Sequence, residues 1–208
     1  MILFELLKNS NGMIKGVTIM NLIVGISGAT GIIYGIRLLE ALSKITQIET
    51  HLVVSEATKL TLKSESDWTV PQIEALASYV YDNKDVGARI ASGSFRTAGM
   101  VVIPCSVKTM SSIANSFNYN LITRAADVVL KERRKLVLVV RETPLHLGHL
   151  KMMASLAERQ AVIMPPVPAF YHRPKSIDDI ISQTVGKILD QFQIEHDLFQ
   201  RWEGIKKP

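Results

Sequence analysis

The segment Asn21–Leu42, NLIVGISGATGIIYGIRLLEAL, constrains this chain more than any other stretch. Leu22, Ile23, Val24 and Ile26 make a short apolar run with β-branched residues, bounded by glycine and too brief for a helix, so it reads as a strand. Gly25, Gly28 and Gly31 then recur every three residues, which lets the backbone turn sharply and approach a ligand closely. Ser27 and Thr30 add hydroxyls beside the amides that open the following helix, and such a helix start, with unpaired N–H groups and partial positive charge, suits a phosphate. The first two glycines are three apart and no G-K-[ST] follows, so neither the dinucleotide fingerprint nor a Walker A loop is present. A βα connection that binds nothing has the same appearance.

The pattern repeats along the chain. Glu49–Val54 reads as a second strand closed by Ser55, a helix N-cap, which places Ser55 at the carboxyl end of the sheet. Ala57–Leu62 and Pro71–Tyr79 read as helices, and Tyr81–Thr97, with Ser92-Gly93-Ser94, as a functional or interface loop. Met100–Pro104 is a buried strand followed by Cys105-Ser106-Val107-Lys108-Thr109 and a helix from about Met110 to Ser116. Asn120–Arg133 is helical, with Arg124 and Lys131 seven apart and therefore on one face. Lys135–Val140 is a strand ending at Arg141 and Glu142, Leu147–Arg159 a helix, and Ala161–Met164 the last strand. Pro165-Pro166-Val167-Pro168 forces an extended loop carrying Phe170 to Arg173, and Ile177–Phe192 closes the chain as a helix. Strands alternating with helices predict a single α/β domain: a doubly wound parallel sheet with helices on both faces and right-handed crossovers.

Composition narrows the class. The 208 residues, 47% hydrophobic, suffice for one real core over residues 21–208. Residues 1–20 lack the features of a signal peptide and read as an extension, with Met20 itself a candidate start. No apolar run is long enough to span a membrane. One cysteine permits no intrachain disulfide, which fits a reducing, cytoplasmic setting. The net charge of +5 raises the question of nucleic acid, but the dense run Lys131–Lys135 includes Glu132 and no interleaved aromatics, so anionic small molecules account for the charge better.

Among chemistry-bearing residues, Cys105 beside a helix start is a candidate nucleophile, yet a small buried residue is the commoner case. His146 and His149 could share a metal, but nothing at matching spacing completes a site, so capping or packing explains them better. His51 reads as a packed or edge residue, and Ser27 and Ser106 as phosphate donors. Arg124, Lys131, Arg141 and Lys187 with Glu142 form the informative set, because Arg141 and Glu142 occupy a strand end where ligands gather.

Five blocks, GISGATGIIYGIRLL, PCSVKT, NLITRAADVVLKERR, RETPLHLGHL and PPVPAFYHRP, run in this order between Asn21 and about Trp202 and together resemble the UbiX-type flavin prenyltransferases. The resemblance implies a flavodoxin-like fold, a dodecamer of trimers, and no metal. It implies transfer of a dimethylallyl group from dimethylallyl phosphate to N5 and C6 of reduced FMN, the product serving a UbiD-type decarboxylase. It assigns FMN contacts to Gly28, Ala29, Thr30, Ser55, Ser106, Val107, Lys108, Thr109 and Arg141. Prenyl-phosphate contacts fall on Lys131, Arg141, Tyr171 and Lys187, and Arg124 reaches a neighbouring subunit's site. Glu142 becomes the acid/base partner beside that phosphate, and Glu65 in SESD the acid near the flavin. Thr30 departs from the serine common in the family; it keeps the hydroxyl but adds a methyl and stiffens χ1, which bears on rate or prenyl fit. The alternatives are a non-catalytic flavin carrier and a flavin-dependent cysteine decarboxylase on the same fold, the latter needing an early catalytic histidine where only His51 is present.

Overall fold

A computed structural model describes residues 19–204. Its core is a six-stranded parallel sheet in the order β3-β2-β1-β4-β5-β6. The strands are β1 (Met20–Ile26), β2 (Ile48–Val54), β3 (Tyr79–Asp82), β4 (Gly99–Cys105), β5 (Lys135–Val140) and β6 (Val162–Ile163). The helices are α1 (Ile32–Leu42), α2 (Glu56–Glu65), α3 (Val70–Glu74), α4 (Val107–Ala114), α5 (Leu121–Lys131), α6 (Leu147–Glu158) and α7 (Ile177–Gln191). Setting the edge strand β3 aside leaves the flavodoxin order, and the switch point falls between β1 and β4. Of the extension expected at 1–20, residues 1–18 lie outside the described residues, whereas Met20 is the first residue of β1.

The two-residue period of the strands sorts the core into two layers. Leu22, Val24 and Ile26 of β1, Val101 and Ile103 of β4, and Val137 and Val139 of β5 face α1 and α7. Ile23, Met100, Val102, Leu136 and Leu138 face the other way, against α4, α5 and α6. Both faces are buried, so the strands read as continuous apolar runs without alternation. Each wholly buried Leu or Ile contributes about 2 kcal/mol.

Most helices start on a short polar side chain directly after a strand or turn. Ser55, Ser106, Asn120 and Ser176 each accept from a backbone N–H of the first turn, satisfying a donor that the helix leaves open. The caps of α2 and α4 therefore sit at the carboxyl edge of the sheet, beside the switch point.

The expected elements differ from the structure most at the sheet edge, and α4 begins three residues before the expected Met110. The helix expected over Pro71–Tyr79 stops at Glu74, and Tyr79–Asp82, where a helix end and a loop are expected, is β3. This edge strand has four residues and is largely exposed, so it shows neither burial nor period. Its register comes from a reciprocal pair across the sheet, the Thr50 N–H donating to Ser78 Oγ and the Ser78 N–H to Thr50 Oγ1, both at 3.1 Å.

Candidate active site

The crevice at the switch point is built from three strand ends. After β1 the chain turns through Ser27–Gly31, and Gly31 adopts the left-handed conformation (φ 90°) at the N-cap of α1. A Cβ on Gly28 would stand 2.3 Å from the Cβ of Ala57, so only glycine lets this turn lie against α2. The amide expected to greet an anion already has one: Glu65 Oε2 accepts from Gly31 N at 2.8 Å and Ile32 N at 3.3 Å. The start of α1 is thus capped by a carboxylate from the end of α2.

Ser27 is not a free phosphate donor. Its buried hydroxyl donates to the Pro104 carbonyl at 2.9 Å and accepts from the Ser106 amide at 2.8 Å, tying the β1 and β4 turns together. Ser106 and Ser55 are half-buried caps whose oxygens receive the Thr109 and Thr58 amides. Val107, Lys108 and Thr109 belong to the first turn of α4, not to a loop. The Lys108 ammonium lies 4.9 Å from the centre of the Tyr119 ring.

Arg141 and Glu142 follow β5, and the Arg141 amide donates to the Cys105 carbonyl at 3.1 Å. Glu142 accepts from its neighbour's amide, Thr143 N, at 2.9 Å, and among the described residues it forms no ion pair. Both line a cavity of about 640 Å³ with Thr30, Gly31, Tyr34 and the Pro165–Pro168 wall. Burial raises the Tyr34 hydroxyl above its ordinary pKa. No motif singles out Tyr34, which lines the crevice from α1 one turn after the glycine cap.

The other cations stand elsewhere. Helix α5 starts where Leu121 N meets Asn83 O, just past β3, and ends at Lys131, four residues before β5 begins. It therefore runs from the carboxyl edge to the amino edge, and the six residues of β5 separate the latter from Arg141 by roughly 20 Å. Arg124 donates to the Ala91 carbonyl and pairs with Asp127, and Lys131 pairs with Glu132. Lys187 pairs with Asp190 on α7, and Tyr171 approaches that helix with its hydroxyl 3.5 Å from Gln183 Nε2. None of Arg124, Lys131, Tyr171 and Lys187 lines the crevice of its own chain. Of the expected residues, Thr30, Arg141 and Glu142 line the cavity of one subunit; Glu65, Ser106 and Ser55 adjoin the β1 end through Gly31 N, Ser27 Oγ and Ile26 O, and Arg124, Lys131, Tyr171 and Lys187 stand in two separate groups.

Cys105, His146 and His149 have packing and capping roles. Cys105 is wholly buried, and desolvation pushes its thiol up to about 12, which removes it as a nucleophile at neutral pH. His146 caps α6 by accepting from Gly148 N, with the His149 ring 3.6 Å from its own. Among the described residues no group of three or more His, Cys, Asp or Glu side chains could hold a metal, and no helix is long and apolar enough to cross a membrane.

The flavoprotein family model matches residues 13–189. Flavin prenyltransferase UbiX of Escherichia coli strain K12 is 62% identical over 185 residues, which are 88% of this chain and 98% of that protein. The chain belongs to the UbiX-type flavin prenyltransferase family. Among solved structures, a UbiX in complex with FMN and dimethylallyl pyrophosphate superposes with a TM-score of 0.88 at 47% identity, covering 90% of this chain and all of that one. A dodecameric FMN-dependent UbiX-like decarboxylase from Escherichia coli O157:H7 gives 0.87 at 48% identity, covering 89% and 100%.

Proposed function

We infer that this UbiX-type chain transfers a dimethylallyl group from dimethylallyl phosphate to reduced FMN, making prenylated FMN for a UbiD-type decarboxylase. The observation that carries this reading is 62% identity to a flavin prenyltransferase along almost its whole length. The crevice agrees with it. Its volume of about 640 Å³ suits a flavin, and Gly28 lets the turn that carries Thr30 lie close against α2. Reduced FMN supplies N5 and C6 as the atoms that accept the prenyl group.

The chain's own residues supply the rest. Gly28, Ala29 and Thr30 line the ring, while Ser55 and Ser106–Thr109, at the starts of α2 and α4, take the flavin's polar arm. Arg141 bridges flavin and prenyl phosphate, and its charge stabilises the phosphate as it leaves. Glu142 moves the proton at that phosphate, and Glu65 holds the Thr30 turn beside the flavin. The proline wall excludes water from the allylic carbon. Arg124, Lys131, Tyr171 and Lys187 act on the crevices of neighbouring subunits, since one sheet length separates Lys131 from Arg141 within a chain. A dodecameric relative supports such an assembly, and the crevice is then completed only by association.

The lone, buried cysteine fits a cytoplasmic setting. A flavin-dependent cysteine decarboxylase is disfavoured because His51, the early histidine that it would need, is buried with both ring nitrogens committed to Tyr81 and Asn21. The test is anaerobic incubation with reduced FMN and dimethylallyl phosphate. Flavin heavier by one prenyl unit supports the reading, and unchanged flavin overturns it.

A further inference from the structure

The last described segment folds back over α7, and a single carboxylate holds it there. Asp190 receives both arms of the Arg201 guanidinium, NH1 to Oδ2 at 3.2 Å and NH2 to Oδ1 at 2.7 Å. On the same carboxylate, Lys187 Nζ stands at 3.3 Å and His196 Nε2 at 3.1 Å. His196 Nδ1 accepts the Leu198 N–H at 3.2 Å, so the imidazole proton belongs on Nε2, where it donates to Asp190. The Arg201 hydrogen bonds lead the interactions that hold the Asp190 carboxyl down to about 2.

A steric seat accompanies this electrostatic one. A Cβ on Gly186 would stand 2.6 Å from the rings of His196 and Phe199, so the glycine in α7 lets the returning segment lie directly on the helix. The residue after Arg201 is Trp202, whose ring meets Tyr171 edge-on with centroids 6.0 Å apart. The segment therefore lies against one side of Tyr171, leaving a cavity of about 260 Å³ between Tyr171–Arg173 and Gln200–Gly204. Lys187 and Arg201 bring two full charges against one carboxylate, so the cluster retains positive charge beside the Tyr171 hydroxyl.

We propose that Asp190 is a positioning residue for the prenyl-phosphate half of the site, latching Arg201 and hence Trp202 against Tyr171 while holding the Lys187 ammonium in place. It deepens the prenyltransferase reading and rests on the roles given there to Tyr171 and Lys187. Asp190 touches no reacting atom; it acts through the residues that it orients. Without it, Arg201 and Trp202 swing into solvent and the wall beside Tyr171 opens.

The experiment uses the full chain and its assembled form, with Asp190→Asn, Arg201→Ala and the double variant. Each single change should raise KM for dimethylallyl phosphate roughly fivefold, as loss of a partly exposed ion pair allows, with kcat and FMN affinity near wild type. The double variant should be no worse than either single one. In a Trp68→Phe background, where Trp202 is the remaining tryptophan, acrylamide quenching of its emission should rise on Asp190→Asn. Wild-type KM and quenching in both single variants, or additive losses in the double, overturn the latch. If Asp190→Asn fails to fold or assemble, Arg201→Ala, a change at an exposed side chain, decides alone. If the wild-type protein yields no prenylated flavin, the functional reading falls and the quenching result decides the latch independently.

Discussion

Glu65 Oε2 lies 2.8 Å from the amide nitrogen of Gly31, so a carboxylate at the end of α2 caps α1 across 34 residues of sequence. An anion here faces the positive end of a helix and fixes the turn that carries Thr30. Glu65→Ala should cost about 1 kcal/mol of unfolding free energy, while Glu65→Gln, which keeps an acceptor oxygen, should lose less. Urea midpoints measure this, and two variants indistinguishable from wild type would contradict the cap.

Gly28→Ala puts a methyl group 2.9 Å from the backbone carbonyl carbon of Ala57 and closer still to its Cβ. Backbone cannot yield as a flexible side-chain end does, so the turn must shift away from α2. A loss of roughly 1–3 kcal/mol is expected, together with reduced FMN retention through purification. Normal flavin content and melting temperature would show that the turn has slack.

His51 is buried between Asn21 and Tyr81, and burial, helped by the charge of Arg89, lowers its pKa to about 4. The unfolded chain binds this proton below about pH 6.5 while the folded one stays neutral until about pH 4. Stability therefore falls as pH drops through that window, by at most about 3 kcal/mol. His51→Gln removes the titration, so its stability should depend less on pH between 6.5 and 4 even if it is lower at pH 7. Parallel slopes for the two proteins would sink the assignment.

Glu142→Gln keeps the size and the hydrogen bond to the Thr143 amide but cannot carry the proton. Prenylation should fall at least about a hundredfold, the lower range for general acid–base catalysis, with FMN still bound. Mass analysis of the flavin after a single anaerobic turnover reads this directly, and an unchanged yield would remove Glu142 from the chemistry and favour a carrier role.

Strand–turn–helix units were legible because buried parallel strands leave continuous apolar runs and a glycine or polar residue follows their carboxyl ends. Leu22–Ile26 before Gly28, and Lys135–Val140 before Arg141, carry both signals. Tyr79–Asp82 carried no such run, being short and exposed on the edge. The serines were legible as site residues but not in their employment: Ser27 looked like a donor awaiting phosphate, and only the fold shows that Pro104 and Ser106 consume its hydrogen bonds. The Glu65 cap was invisible for a related reason, since nothing local links SESD to Gly31. The cations were found by type and helix face, but spacing along α5 cannot tell whether Lys131 faces its own crevice or another's.

The Ser27 hydroxyl, clasped between the carbonyl of Pro104 and the amide of Ser106, has a mechanical consequence. The turns on either side of the switch point cannot part without stranding a buried donor and a buried acceptor together, so the floor of the crevice behaves as one stiff plate. Whatever yields around the crevice must then lie in its walls, in the Pro165–Pro168 loop. Replacement of Ser27 by alanine would soften the floor itself.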